Sequence, residues 1–389
     1  MIRIKRLSPL LVVLGLLVAA RAHATSVYWT DTNYALPKLG KANDDGSNPQ
    51  LVPLAPGTLP EGLAMDTSYG ELYWGEEAWT GANLNHAGAD LGGIATLVSG
   101  GSSMHGVALD ALHHTIYWTS SNLVDGGQIH MADADGSNPV VIVSQGVTAN
   151  PRGIAVDPAG GRLYWADYDR NVIYQSNLIG GGAWPLVSVG LTTPWGLALN
   201  AATSKLYVTE YVPGRIQSYT IPGALLSIVL GGLSNPTYIA VDPSSGRMFW
   251  TEAAGAQRVR RANLDGTALT NLNLPLATYG GIAVGPGSAL SADEMTPATE
   301  FALDAIRPNP THDLARIVYS LARETSVRLS VLDVQGREVA RLVDGIQTPG
   351  RHQTTWTGVT GHGRAPAGLY FVRYMTPERV ITRRLALTR

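Results

Sequence analysis

A pair of adjacent aromatic residues recurs along this chain at nearly constant spacing. It reads Tyr28-Trp29, Tyr73-Trp74, Tyr117-Trp118, Tyr164-Trp165, Tyr207-Val208 and Phe249-Trp250, with gaps of 45, 44, 47, 43 and 42 residues. A second signature stands 11 residues ahead of every pair after the first: Gly62-Leu-Ala-Met-Asp66, Gly106-Val-Ala-Leu-Asp110, Gly153-Ile-Ala-Val-Asp157, Gly196-Leu-Ala-Leu-Asn200 and Tyr238-Ile-Ala-Val-Asp242. A sixth copy, Gly281-Ile-Ala-Val-Gly285, has no aromatic pair behind it, and the first aromatic pair has no such copy in front. Self-similarity at this period marks an architecture of stacked repeats. A row that begins with half a unit and ends with the missing half is best closed into a ring.

Each unit carries about four strand-like stretches, as a propeller blade requires. In the fourth copy they are Gly153 to Asp157, Leu163 to Asp167, Asn171 to Ser176 and Trp184 to Val189, with turn residues between them. Each innermost stretch has Ala at its centre (Ala64, Ala108, Ala155, Ala198, Ala240 and Ala283), where strands crowding an axis exclude anything larger. Adjacent aromatics in the next strand point to opposite faces of a sheet, so both are expected to be buried between neighbouring blades. The bulk agrees: 44 Gly in 389 residues, with 15% charged, fit a turn-rich all-β protein.

These residues resemble the YWTD, or low-density-lipoprotein-receptor class B, repeat, whose members form six-bladed β-propellers. Val27-Tyr-Trp-Thr-Asp31 is a complete match, and Leu72-Tyr-Trp-Gly-Glu76, Ile116-Tyr-Trp-Thr-Ser120, Leu163-Tyr-Trp-Ala-Asp167, Leu206-Tyr-Val-Thr-Glu210 and Met248-Phe-Trp-Thr-Glu252 are degenerate copies. The resemblance implies closure within one blade, with Gly281 to Gly285 innermost on the sheet begun by Val27 to Asp31. It also implies that the acid ending each motif is mainly structural.

Outside the ring the chain changes character. Residues 1–24 read as a secretory signal: Arg3, Lys5 and Arg6, an apolar run from Leu10 to Ala20, and Ala22-His23-Ala24 as a cleavage site. That run is too short to span a bilayer, so no membrane span is expected in the mature chain. Residues 25–290 are the expected propeller, 291–300 a polar linker, and 301–389 a small β-sandwich built from alternating strands such as Val327 to Asp333 and Leu369 to Tyr374. Asn309-Pro310, Asp333-Val-Gln-Gly-Arg337, Pro349-Gly350, Trp356 and Ala367-Gly368-Leu-Tyr-Phe371 resemble the C-terminal sorting domains of the bacterial type IX secretion system, and the related Ig-like domain of flagellar hook-capping proteins. Thr357 replaces the usual Asp after that Trp, and Arg384-Leu385 the usual Lys-Leu. The fold class is therefore all-β, a six-bladed β-propeller followed by an Ig-like sandwich. The resemblance implies export, with the secretion machinery as one partner.

A net charge of −2 without a block of like charge argues against nucleic acid as a partner. The absence of Cys excludes disulfides, thiolate metal sites, a cysteine nucleophile and a lipoprotein anchor. The run from Asp133 has Asn138 and Ser144 where a calcium loop needs Gly at its sixth position and Glu at its twelfth, and His113-His114 has no carboxylate-rich partner motif. No nucleophile elbow, phosphate loop or metalloprotease helix is present. Residues just before each first strand (Glu61, His105, Arg152, Trp195, Thr237 and Gly280) and just after each second one (Asp31, Glu76, Ser120, Asp167, Glu210 and Glu252) should share one face of the disc. The candidate ligand-binding residues there are Glu61, His105, Arg152, Trp195, Asp169 and Tyr211. No catalytic residue, metal or cofactor is assigned. The expected function is non-catalytic binding of an extracellular protein or glycan by a secreted or outer-membrane-surface protein. One alternative is a metal-dependent lactonase or lyase at the channel mouth, with Glu61, His105 and Asp31 as ligands, although Arg152 would oppose a cation there. Another is a structural envelope scaffold.

Overall fold

The computed structural model describes residues 25–286 and 301–388, apart from 68–69, 79–80, 102, 222–226, 256, 276–277, 304–305, 307–310, 312–314, 348 and 361–362. The signal segment 1–24, the linker 291–300 and Asn309-Pro310 lie outside the described residues. Among those described, strands dominate, and the helical content is a single 3-10 turn, Ala201–Thr203.

Six four-stranded antiparallel sheets follow one another between Thr25 and Pro286. Their innermost strands are Tyr279–Pro286, Thr58–Asp66, Ser103–Asp110, Pro151–Asp157, Pro194–Asn200 and Pro236–Asp242, and each touches the next in a closed cycle. The first sheet takes its innermost strand from the far end: Tyr279–Pro286 pairs with Thr25–Asp31, with Val27 opposite Val284 and Tyr28 opposite Ala283. The central Ala of every inner strand faces the first aromatic of the second strand, as in Ala108 with Tyr117 and Ala155 with Tyr164.

The aromatic pairs knit the cycle together. Tyr28 lies in one apolar cluster with Trp74 of the next sheet, Tyr73 with Trp118, Tyr117 with Trp165, Tyr164 with Val208, Tyr207 with Trp250, and Phe249 with Trp29. The five Trp among them are essentially fully buried. Burying such rings contributes several kcal/mol at each junction.

Near the axis the sheets meet through the main chain. A Cβ added to Gly62, Gly106, Gly153, Gly196 or Gly281 would collide with the carbonyl oxygen of His105, Arg152, Trp195, Thr237 or Glu61, respectively, on the neighbouring sheet. The Thr of the second strand ties the same spot. Thr119 Oγ1 accepts from Gly106 N at 2.8 Å and donates to Arg152 O at 2.6 Å. Thr30 Oγ1 accepts from Gly281 N at 2.7 Å and donates to Glu61 O at 2.9 Å. Thr251 links Tyr238 N to Gly280 O at 3.2 and 2.9 Å, and Thr209 links Gly196 N to Thr237 O. Gly75 and Ala166 stand at this position in the second and fourth sheets and have no hydroxyl to offer.

Residues 301–388 form a separate set of sheets. Ala302–Leu303, Ala315–Leu321 and Gly350–Trp356 make one; Glu338–Gln347, Thr325–Leu332, Gly368–Met375 and Val380–Leu387 make another. One core lies between them, with Tyr319, Val331, Trp356, Val372, Tyr374 and Leu385 buried. The Asp333-to-Arg337 turn is closed by Gly336 at φ 79° and by Asp333 accepting from the backbone N–H of Gln335 and Arg337.

The Thr bridge gives a direct test. Thr119→Val keeps the shape but removes the acceptor of the buried Gly106 N–H and the hydroxyl donor to the part-buried Arg152 carbonyl. It should lower the unfolding free energy by about 1–3 kcal/mol, read by urea denaturation. A change below about 0.3 kcal/mol would refute the bridge as a stabilising contact.

Candidate functional site

Sequence spacing puts the mouth residues in loops before the first strands; the structure corrects this. Glu61, His105, Arg152 and Trp195 lie inside those strands, at a shift of pairing register that recurs between Pro60 and Leu63, Met104 and Val107, Pro151 and Ile154, and Pro194 and Leu197. Such an irregularity re-aims a side chain out of the pleat. It turns these residues toward the axis while their carbonyls remain clamped to the neighbouring sheet.

Side chains from five sheets converge there. Glu61 Oε2 lies 3.0 Å from His105 Nδ1, 3.6 Å from Arg152 Nη1 and 2.7 Å from the Tyr238 hydroxyl that donates to it. Arg152 Nη1 is also 3.1 Å from His105 Nδ1, and His105 Nε2 is 2.9 Å from Ser121 Oγ. Arginine can only donate, so Nδ1 either donates to Glu61 or accepts from Arg152, never both at once. The Arg152 guanidinium sits 4.6 Å over the Trp195 ring, a cation–π contact. Trp195 stacks on Tyr211 at 5.2 Å and meets Tyr168 edge-on at 5.4 Å. The mouth therefore has an ionic part, Glu61 and His105 with the Tyr238 hydroxyl, and an aromatic part, Trp195, Tyr211 and Tyr168, with Arg152 shared between them.

Burial pushes the Glu61 carboxyl up, but His105, Arg152 and the Tyr238 hydroxyl overcome it and hold it down at about 2. Tyr238 is pushed the other way, first by burial and then by the Glu61 charge. The Glu61 side chain is only 20% exposed, so these contacts are poorly screened.

The structure joins Glu61, His105, Arg152, Trp195 and Tyr211 into one network. Asp169 is placed differently: it is exposed, and its charge acts on the buried Asp167 carboxyl, which burial already pushes up. The acids that end the motif are buried; Asp31, Asp167 and Glu210 accept from backbone N–H groups, whereas Glu76 and Glu252 accept from side chains. Asp31 accepts from Asn33 N and Thr278 N at 3.0 and 3.1 Å, and Asp167 accepts from Asn150 N and Arg170 N at 3.2 Å. Spacing missed Tyr238 and Tyr168. Tyr238 had a visible signal, since it occupies the position that is Gly in the other five copies. It reaches Glu61 past the first sheet, whose mouth residue, Gly280, has no side chain. Among the described residues no group of three or more His, Asp or Glu is placed to hold a metal ion. His113 Nδ1 bonds Asp110 at 2.7 Å, and Asp133 accepts from Ser137 and Asn138 within its own turn.

No family profile matches the chain. Among curated proteins it is similar to low-density lipoprotein receptor-related protein 5 of Mus musculus, at 30% identity over 44% of this chain and 11% of that one. It is also similar to low-density lipoprotein receptor-related protein 1 of Pyricularia oryzae, at 28% over 42% of this chain and 61% of that one. Protein cueball of Drosophila grimshawi matches at 24% over 50% of this chain and 33% of that one. The chain thus spans less than two thirds of each of these relatives. Among solved structures, a chain of a nidogen/laminin complex superimposes with a TM-score of 0.59 at 24% identity, covering 67% of this chain and 98% of that one. TolB from Acinetobacter baumannii does so at 0.57 and 14% identity, covering 67% and 66%. These likenesses support a β-propeller of the YWTD kind.

The depressed Glu61 carboxyl has a signed consequence. Its folded value lies below the ordinary 4.5, so its contribution is complete above about pH 4.5 and is lost as pH falls toward about 2. Glu61→Gln should cost about 1.5–3 kcal/mol at pH 7, the scale of a hydrogen bond to a charged group. It should also flatten the decline of stability below pH 4.5, measured by urea midpoints across pH. Equal acid slopes in the two proteins would refute this assignment.

Proposed function

We propose that this chain is a secreted or surface-displayed bacterial binding protein. Residues 25–290 act as a six-bladed YWTD propeller that holds a protein partner, without catalysis, on its channel-mouth face. Through the linker at 291–300 they are joined to an Ig-like module, 301–389, that directs export.

The observation that carries the binding role is the aromatic platform of Trp195, Tyr211 and Tyr168 beside Arg152, all partly exposed on one face. Aromatic residues and Arg are the side chains that dominate protein interfaces. Antiparallel alternation brings the turns after each second strand, and the connections into each first strand, to this same face. Those loops expose Leu36, Leu123, Val124, Val147, Val189 and Val212, with Leu123 96% accessible. An apolar rim around aromatic anchors fits a protein better than a glycan. The platform is firmly held: Tyr211 N bonds Thr193 O at 3.0 Å, and Asn235 Nδ2 bonds Tyr211 O at 3.1 Å. The similarity to receptor-related proteins, and to a chain crystallised in a nidogen/laminin complex, points the same way. Glu61 and His105 are engaged with each other, Arg152 and Tyr238, which argues against their serving as metal ligands.

The test is capture of a partner by the purified propeller from its native surroundings, followed by titration of that partner. Trp195→Ala, and separately Leu123→Asp with Val124→Asp, should each weaken binding by about 2 kcal/mol, roughly thirtyfold in Kd, with little change in Tm. Undiminished binding by both variants would move the interface to another face. For export, deletion of 301–389 should leave the protein in the periplasm; normal export of the truncated chain would overturn the sorting role.

A further inference from the structure

Ser121 follows directly on the third copy of the motif. Its equivalents in the other sheets are Thr32, Glu77, Tyr168, Tyr211 and Ala253. Tyr168 and Tyr211 belong to the aromatic platform, so Ser121 occupies the matching place on the mouth face, where it is partly exposed. Its hydroxyl ends a chain of contacts between the second and third sheets. Ser121 Oγ lies 2.9 Å from His105 Nε2, and His105 Nδ1 lies 3.0 Å from Glu61 Oε2. Asn150, in the connection to the fourth sheet, places its Oδ1 3.4 Å from the same hydroxyl.

A hydroxyl, an imidazole and a carboxylate in this order are the nucleophile, base and orienting group of an acyl-transfer relay, which is recognised by geometry and not by sequence position. Glu61 stays ionised at neutral pH, since its partners hold it down at about 2. A charge-assisted bond to that carboxylate favours the tautomer of the buried His105 with its proton on Nδ1. The Nε2 lone pair then faces Ser121, and this 2.9 Å contact takes the hydroxyl proton in preference to the longer one to Asn150. The Asn150 amide also carries an NH₂, a donor of the kind that steadies charge developing on a carbonyl oxygen. Leu123 and Val124 stand exposed two and three residues beyond Ser121 and offer apolar surface to an aliphatic chain.

We propose that Ser121 is a covalent acylation site that takes the acyl group of an activated aliphatic ester or thioester, with His105 as the base and Glu61 as the positioning residue. Ser121 Oγ attacks the acyl carbon while its proton passes to Nε2. The bond from that carbon to the leaving oxygen or sulfur breaks, and the leaving group takes the proton from Nε2. The products are an ester on Ser121 and a free alcohol or thiol. The reaction stops there. An acylated Ser121 can only accept, and the tautomer with the proton on Nε2 then donates to it while Nδ1 accepts from Arg152 at 3.1 Å. Nε2 is no longer a base for water, so the ester persists as one modification per chain and there is no turnover. This inference goes beyond the binding role of the mouth and does not rest on it.

The test is incubation of the full chain with p-nitrophenyl butyrate. Nitrophenol should be released in a burst of one equivalent per chain, and peptide mass spectrometry should place the butyryl group on Ser121. Ser121→Ala should abolish the burst, and His105→Gln should slow it by about a hundredfold or more, with Tm showing that each variant is folded. NMR of the His105 ring nitrogens should find the proton on Nδ1 in the unreacted chain and on Nε2 in the butyrylated one. Butyryl groups confined to lysines or the amino terminus, or an undiminished burst in either folded variant, would overturn the proposal. So would continued release well beyond one equivalent, or a proton on Nε2 in the unreacted chain.

Discussion

The channel mouth depends on one contact: the main chain of each inner strand pressed against a carbonyl of the next. At Gly106 this contact is so close that no side chain fits, and Thr119 reinforces it by taking the Gly106 N–H and giving its own proton to Arg152 O. The backbone of every mouth residue is thereby fixed by its neighbours, whatever side chain it carries. That separation explains how Glu61, His105, Arg152 and Trp195 can differ completely in chemistry while occupying equivalent places. Clamped backbone and free side chain form a mount on which a binding surface can be changed without disturbing the ring.

Much of this could be read in the sequence because repetition averages out local ambiguity. Tyr-Trp beside Gly-x-Ala specifies a wedge and a close approach, and the structure puts Tyr28 against Trp74 and Tyr73 against Trp118. Counting one residue back from each Gly located Glu61, His105, Arg152 and Trp195 on one face. What counting could not supply is who meets whom. Tyr238 and Glu61 are 177 residues apart, and they meet only because the ring closes and Gly280 leaves a gap between them. Tyr238 stands where the other five copies have Gly, and a Tyr in place of a packing Gly is a departure that demands its own explanation. The register shifts that re-aim the mouth residues were also invisible, since nothing in their composition distinguishes them from ordinary strand starts.

The network also changes which candidates can meet a ligand. Glu61 is surrounded by three partners within 3.6 Å, and prying any of them loose would expose an uncompensated charge. Such a group is better suited to holding the mouth rigid than to adapting to a guest. Arg152 transmits that rigidity, being hydrogen-bonded on one side and stacked on Trp195 on the other. The aromatic half is thus preorganised by the ionic half, which limits the ordering cost of binding.

Departures from the repeat are scattered, and the scatter has a physical reason. The bridging Thr is missing in the second and fourth sheets, the Trp in the fifth and the terminal acid in the third, so no sheet loses everything. Because each sheet packs mainly on its two neighbours, with direct contacts beyond them at the mouth, the cost of one lapse stays local and the remaining junctions carry the ring. A lapse that persists is therefore a place where the fold has slack. At Tyr238 the slack is filled by a hydroxyl that reaches Glu61; at Ser120 the shorter side chain meets His130 Nε2 at 2.7 Å, and a cavity of about 140 Å³ opens beside it. In a repeat protein the consensus describes the frame, and a departure such as Tyr238 shows where the frame has given way to a contact specific to this chain.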